Sequence, residues 1–127
     1  MQIPQSLLYS TQHLWAKPAA DGTWEAGITD YAQDLLGDIV FVDAPAVGSK
    51  LKAGQPCGLV ESVKTGSDLH ALVDGEVTDV NQTLINAPEQ INDSPYTAWI
   101  FKFKTDDTEI EKKLLSAEAY KALTDDA

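Results

Sequence analysis

A lone lysine, Lys64, stands in the run Glu61-Ser62-Val63-Lys64-Thr65-Gly66-Ser67-Asp68. Cys57 to Glu61 reads as a strand before it and Asp68 to Val73 as a strand after it. An Asp74-Gly75 turn follows, and then a strand over 76–80. The spacing predicts a tight β-hairpin with Lys64 at its tip. An amine placed there suits covalent modification, because it projects from a rigid point clear of the core where a modifying enzyme can grasp it. It suits nucleophilic catalysis poorly, since that requires a desolvated lysine in a pocket. Glu61 and Asp68 flank the tip and are expected to serve recognition together with Ser62, Val63 and Thr65. The segment from Val47 to Val80 is roughly balanced about Lys64, with Val47-Gly48 on one side and Asp74-Gly75 on the other.

Other chemistries find little support. His13 and His70 are the only histidines, and no Cys or carboxylate cluster has ligand spacing, so no metal is expected. No Gly-rich phosphate loop, nucleophile elbow or catalytic triad is visible. Cys57 is the single cysteine; it cannot form an internal disulfide and reads as a small packed residue, which favours a cytoplasmic location. Nine basic against 20 acidic side chains give a net charge of −11. That surface repels phosphate backbones and argues against a nucleic-acid partner, while attracting basic docking patches. No apolar run approaches the roughly 18 residues of a membrane span, and the opening Met1-Gln2-Ile3-Pro4-Gln5 lacks the blocks of a secretory signal. The 127 residues, 43% hydrophobic, suit one domain over 1–127 and a monomer.

The elements that must position the lysine are mostly β. Short strands are predicted at 7–9, 13–17 and 23–28, the last alternating polar and apolar residues. A short helix is predicted over 31–36, with Asp30 as its cap, Gln33 completing a capping-box-like pair and Gly37 ending it in a left-handed conformation. The β-branched run over 38–43 reads as a central strand. The segment balanced about Lys64 occupies about 47–81, a loop with a helical turn covers 81–95, and the last strand covers 98–104. A C-terminal helical segment spans about 106–124. There Ile110, Leu114 and Leu115 form one stripe, and a second helix, capped by Ser116, carries Ala119, Tyr120 and Leu123.

The two halves meeting at Lys64 resemble the hammerhead of biotinyl and lipoyl domains. Longer motifs are more specific. Gly27-Ile28-Thr29-Asp30-Tyr31-Ala32-Gln33-Asp34, Leu36 to Val42, Glu61-Ser62-Val63-Lys64 with Ser67-Asp68, Gly75-Glu76-Val77, Val80-Asn81, Asn92, Pro95-Tyr96 and Trp99 stand in order. Through them the chain resembles the glycine cleavage system H protein family over nearly its whole length. The resemblance implies a lipoyl/biotinyl-type hammerhead β-sandwich, or flattened barrel, with C-terminal helices. It implies lipoate attached to Lys64 and no catalysis by the chain itself. The implied partners are a pyridoxal-phosphate glycine decarboxylase that loads an aminomethyl group onto the arm, and a folate-dependent aminomethyltransferase that unloads it. Dihydrolipoamide dehydrogenase, which reoxidises the arm, and the lipoylating enzymes complete the set. A relay that donates lipoate to other lipoyl enzymes, or a biotinyl/lipoyl-like domain of another complex, are the alternatives. The family's arm cleft corresponds here to His13, Leu14 and Asp68. The family usually has His-Glu-Trp where this chain has His13-Leu14-Trp15, and a serine where it has Gln12, so only Asp68 remains to pair with the amine of a loaded arm.

Overall fold

The computed structural model describes residues 2–125. Met1, Asp126 and Ala127, which the single-domain reading includes, lie outside the described residues. In chain order the elements are β1 (Leu8–Tyr9), β2 (Leu14–Pro18), β3 (Trp24–Ile28), α1 (Asp30–Leu36), β4 (Ile39–Asp43), β5 (Lys50–Leu51), β6 (Pro56–Ser62) and β7 (Gly66–His70). They continue with β8 (Gly75–Val80), α2 (Gln82–Asn86), α3 (Gln90–Asp93), β9 (Phe101–Lys104), α4 (Ile110–Lys113) and α5 (Ala117–Asp125). The strands form two antiparallel sheets, one in the order β1-β2-β3-β9-β8-β5 and one in the order β4-β6-β7. They pack face to face as a sandwich and do not close into a barrel.

The larger sheet is covered on both faces, which explains its consecutive apolar residues. Leu14 of β2 points into the sandwich with Ile28, Val60, Leu69 and Phe101, whereas its neighbour Trp15 points to the other side. There Trp15 joins Leu7, Tyr9, Ala117 and Tyr120 in a second cluster under α5. The rings of Tyr9 and Tyr120 stack with centroids 4.7 Å apart. Burial of this kind contributes about 25 cal/mol per Å² of apolar surface, so the aromatic pair is a major fastening for the C-terminal helix.

Several local expectations change. The 39–43 strand is an edge of the smaller sheet, with β6 central. A bulge between Ile39 and Phe41 turns two large side chains outward, leaving Val40 53% and Phe41 48% exposed. β-branched composition signals a strand and not its place in the sheet. Helix α1 is capped by Thr29, whose Oγ1 accepts from the amide of Ala32, while the Gln33 side-chain amide donates to Asp30. Gly37 does follow α1 with φ +86°, but its ψ of −155° is an extended glycine-only conformation and not the left-handed helical one. The 81–95 segment holds two short helices. On α5 the inward stripe is Ala117, Tyr120 and Thr124; Leu123 is partly exposed. Ser116 does cap it, accepting from the amide of Ala119.

Gly58 of β6 marks where the hairpin strand presses on β4. A Cβ there would lie 2.5 Å from the carbonyl oxygen of Asp43, a backbone atom that cannot step aside. Gly58→Ala is expected to lower stability by about 2–3 kcal/mol. Chemical denaturation should show an earlier midpoint; an unchanged midpoint would mean that the two strands separate without cost.

Candidate functional site

The β6–β7 hairpin places Glu61 opposite Gly66, and the amide of Ser62 donates to the carbonyl of Thr65 at 2.8 Å. Val63, Lys64 and Thr65 remain between the strands. None has positive φ, so the primed turns usual for the tightest hairpin loops are not used. Ser62 supplies the substitute. Its buried Oγ accepts from the amides of Lys64 and Thr65, both at 3.1 Å, and donates to the carbonyl of Thr65 at 3.2 Å. Three contacts to one hydroxyl fix the backbone that carries Lys64. Ser62 thus shapes the tip from inside, while Glu61, Val63, Lys64, Thr65 and Asp68 are exposed.

The tip rests on a platform. The amide of Val63 donates to the carbonyl of Asp38 at 3.0 Å. The stem of Lys64 lies over Gly37, where a Cβ would come 3.4 Å from Cε and 3.6 Å from Nζ. Asn92 of α3 holds the platform. Its Oδ1 accepts from the amide of Ile39 at 2.8 Å, and its Nδ2 donates to the carbonyl of Gly37 and to Oε1 of Gln33, both at 2.9 Å. One side chain therefore joins the end of α1 to the start of β4. The other end of α1 is held by Tyr96, whose hydroxyl accepts from the amide of Asp30 at 3.1 Å. Trp15 Nε1 donates to the carbonyl of Pro95 at 3.0 Å, fastening the 95–96 segment to β2.

Beside α1 lies a cleft of about 110 Å³. Ala32, Leu35 and Leu36 line one side, with Leu14, Ile28, Val60 and Leu69 also in the wall; Gln12, His13, Ser67 and Asp68 supply its polar atoms. The three residues expected at an arm cleft, His13, Leu14 and Asp68, are thus brought together. Leu14 is only 1% exposed and belongs to the core as well as to the cleft wall. His13 has φ +68°, a left-handed conformation that costs a non-glycine residue about 1–2 kcal/mol. Its carbonyl accepts from the amide of Thr29, and its own amide donates to the carbonyl of Ser10.

A buried polar chain sets the protonation of His13. Its Nδ1 lies 2.8 Å from the hydroxyl of Tyr120, which lies 2.7 Å from Oγ1 of Thr29. Thr29 and Tyr120 are fully buried, so water cannot complete the bonding. Thr29 Oγ1 already accepts from the amide of Ala32. Its own hydrogen must go to Tyr120, because an unsatisfied buried hydroxyl costs about 1–3 kcal/mol. The Tyr120 hydrogen then goes to His13 Nδ1, leaving the neutral imidazole with its hydrogen on Nε2. Burial acts in the same direction, holding His13 below the ordinary 6.5 and pushing the Tyr120 hydroxyl up to about 12. Nothing in the sequence revealed this chain, because it joins positions far apart.

The sequence reading also missed an apolar rim. Val63 is 66% exposed; Leu35, Val40 and Phe41, near the platform along α1 and β4, are exposed too. Carboxylates at Asp38, Asp43 and Glu61 are interleaved with them. Cys57 sits half-buried in β6, where burial raises its thiol to about 11, so it remains an unreactive thiol.

A family model described as glycine cleavage H-protein matches residues 7–127. The glycine cleavage system H protein of Methylobacillus flagellatus is 60% identical over 123 residues, covering 97% of this chain and 98% of the relative. That of Salmonella typhimurium is 50% identical over 125 residues, covering 98% and 97%. The crystal structure of a glycine cleavage system H protein from Mycobacterium marinum superposes with a TM-score of 0.87 at 37% identity, covering 97% of this chain and 99% of the other.

The platform's dependence on one amide is directly testable. Asn92→Asp keeps an acceptor for Ile39 but sets carboxylate oxygens against Gln33 Oε1 and the Gly37 carbonyl. A loss of about 2 kcal/mol is expected, with faster amide hydrogen exchange at Ile39 and Val63. Unchanged exchange at both would show that the platform is held by other contacts.

Proposed function

The chain belongs to the glycine cleavage H-protein family, and from that premise we propose that it is the lipoyl carrier of the system, with lipoate in amide linkage to Nζ of Lys64. The observation that supports this most is the hairpin: an exposed amine on a short tip whose backbone is fixed by Ser62 and braced on Asp38. When bound, the lipoyl group would supply a ring disulfide open to thiolate attack and to two-electron reduction. The chain's own residues do the rest. Ser62 and Asp38 hold the attachment point, Gly37 leaves room for the lysine stem, and the cleft beside α1 offers the arm an apolar shelter.

In this reading the chain contributes no catalytic group. It carries the aminomethyl group from glycine decarboxylase to the aminomethyltransferase and returns to dihydrolipoamide dehydrogenase for reoxidation. Tethering raises the effective concentration of the arm at each docked partner. The docking face is the rim around the tip, where Leu35, Val40, Phe41 and Val63 offer apolar contact and the interleaved carboxylates steer basic partners. Glu61 and Asp68, exposed on either side of the tip, serve the lipoylating enzyme. No helix among the described residues is long and apolar enough to cross a membrane; with a single cysteine and an acidic surface, the proposed setting is the cytoplasm.

Two experiments test the reading. Peptide mapping of the protein from its native cell should find lipoate on Lys64 alone, and Lys64→Arg should keep the fold while losing all modification. Lipoate on Lys50 or Lys52 instead would overturn the assignment. Neutralising both flanking carboxylates, Glu61→Gln with Asp68→Asn, should slow lipoylation in vitro by about tenfold with little change in stability, because both are exposed. An unchanged rate would make them solvated surface charges with no part in recognition.

A further inference from the structure

We infer that Thr29, Tyr120 and His13 form an acid-sensitive latch, in which uptake of a proton by His13 reverses the hydrogen bonds of the chain and releases the cap at the start of α1. Tyr120 is the positioning residue that passes the change from one end to the other. The inference does not depend on what Lys64 carries.

With His13 neutral, the hydrogens and acceptors match. Two short contacts, 2.8 Å from His13 Nδ1 to the Tyr120 hydroxyl and 2.7 Å on to Thr29 Oγ1, hold the two hydroxyl hydrogens, and Thr29 Oγ1 still accepts from the amide of Ala32. A proton on Nδ1 brings a third hydrogen to the same two contacts. Among the described residues neither hydroxyl bonds to any other group, and both residues are fully buried, so water cannot take the surplus. Tyr120 cannot shed a proton in exchange, because burial pushes its hydroxyl up to about 12. Bonds that point the same way strengthen one another, so the charged ring turns the chain round. Nδ1–H then donates to Tyr120, Tyr120 donates to Thr29, and the hydrogen left over is that of Thr29. If the ring swings out to water instead, Tyr120 and Thr29 keep two hydrogens for one contact, and the surplus is the same. To place its hydrogen, Thr29 must turn about χ1 and take Oγ1 away from the amide of Ala32.

The element that gives way is α1. It has no fully buried side chain, and seven residues are too few to hold a helix by themselves, so it depends on the bonds at its ends. Helix α5 keeps the Tyr9–Tyr120 stack, its buried Ala117 and Thr124, and the paired backbones of Tyr9 and Leu115 beside it. At the far end of α1, Asn92 still holds Gly37 and Ile39, so the opened latch frays the first turn and leaves the hairpin tip in place. His13 is poised for the change. Its φ of +68° is unfavourable for a residue other than glycine, and only its backbone bonds to Ser10 and Thr29 hold it there. Facing it are the ring of Tyr31 from α1, with centroids 4.9 Å apart, the ring of Tyr120 from α5 at 5.7 Å, and Gln12, Ser67 and Asp68 across the same cleft. Asp68 is the one charged group among them, and it favours the proton only weakly because it is exposed. Burial opposes the proton and holds His13 below its ordinary 6.5. The closed latch is therefore fully present above pH 6.5 and is lost as the pH falls from there through the lower folded-state value.

The test follows amide hydrogen exchange in the full chain from about pH 7.5 down to about pH 5, while nitrogen-15 shifts report the charge and tautomer of His13. Rates are expressed as protection factors, so that the pH dependence of the exchange chemistry cancels. The amide of Ala32 should lose protection roughly tenfold as His13 becomes charged, whereas that of Tyr9, bonded to Leu115, should keep it. His13→Asn is the decisive variant. Asparagine tolerates positive φ, and its Oδ1 stands about where Nδ1 stood, so it can accept from Tyr120 but takes up no proton. It should keep the neutral-pH protection of Ala32 and lose the acid response. Tyr120→Phe cuts the chain and should lose the response too, although His13 still titrates there. His70, the other histidine, is present in both variants and so controls for its own titration. The inference is overturned if Ala32 is equally protected before and after His13 becomes charged in the wild type, or if the acid response survives in either folded variant. A hydrogen on Nδ1 at neutral pH, or a His13 that stays neutral over the whole range, would overturn it as well.

Discussion

The bonding of Asn92 is the constraint on which the site depends. The two residues between α1 and β4, Gly37 and Asp38, have no regular structure of their own, yet they support the hairpin that displays Lys64. Their positions are imposed from α3 through bonds to the carbonyl of Gly37 and the amide of Ile39, and to the Gln33 side chain. Asp38, held between those anchors, receives the amide of Val63. A hairpin tip alone is a mobile place for an amine; a tip bonded to a fixed linker is not. Asn92 makes both kinds of bond at once, which neither an aspartate nor an apolar side chain of that size can do.

The same logic extends to the far side of the larger sheet. Helix α5 lies across the sheet from the cleft, yet Tyr120 passes its hydroxyl between Thr29 and His13 while its ring stacks on Tyr9. Thr29 is also the cap of α1. The packing of the C-terminal helix is thereby linked to the protonation of a cleft residue and to the start of the helix that lines the cleft. Such chains are stabilising only when every member is satisfied, which fixes the direction of each hydrogen. Segments far apart in sequence thus share one small polar unit around the site.

The hairpin and its lysine were legible because turn signals and strand runs are local, and the two halves balance about Lys64. The long motifs identified the family for the same reason, since they lie in contiguous runs. Three features were hidden. The 39–43 strand was read as central because its β-branched residues report conformation, whereas the bulge that exposes Val40 and Phe41 depends on pairing with β6. Thr29, not Asp30, caps α1, because Thr29 is buried against Tyr120 and so is fixed in place to receive the amide of Ala32. Asn92 was recognised as part of a motif, but its task depends on carbonyls more than fifty residues earlier, and no local pattern encodes that.

The proposed carrier function passes through one fixed amine, Nζ of Lys64. The most direct measurement is exchange of the glycine carboxyl carbon with labelled bicarbonate, catalysed by glycine decarboxylase in the presence of the lipoylated chain. Robust exchange is expected, rising with carrier concentration and disappearing when Lys64 is replaced by arginine in a protein of unchanged fold. Exchange that continues without Lys64, or its absence with fully lipoylated wild-type protein and an active decarboxylase, would contradict it.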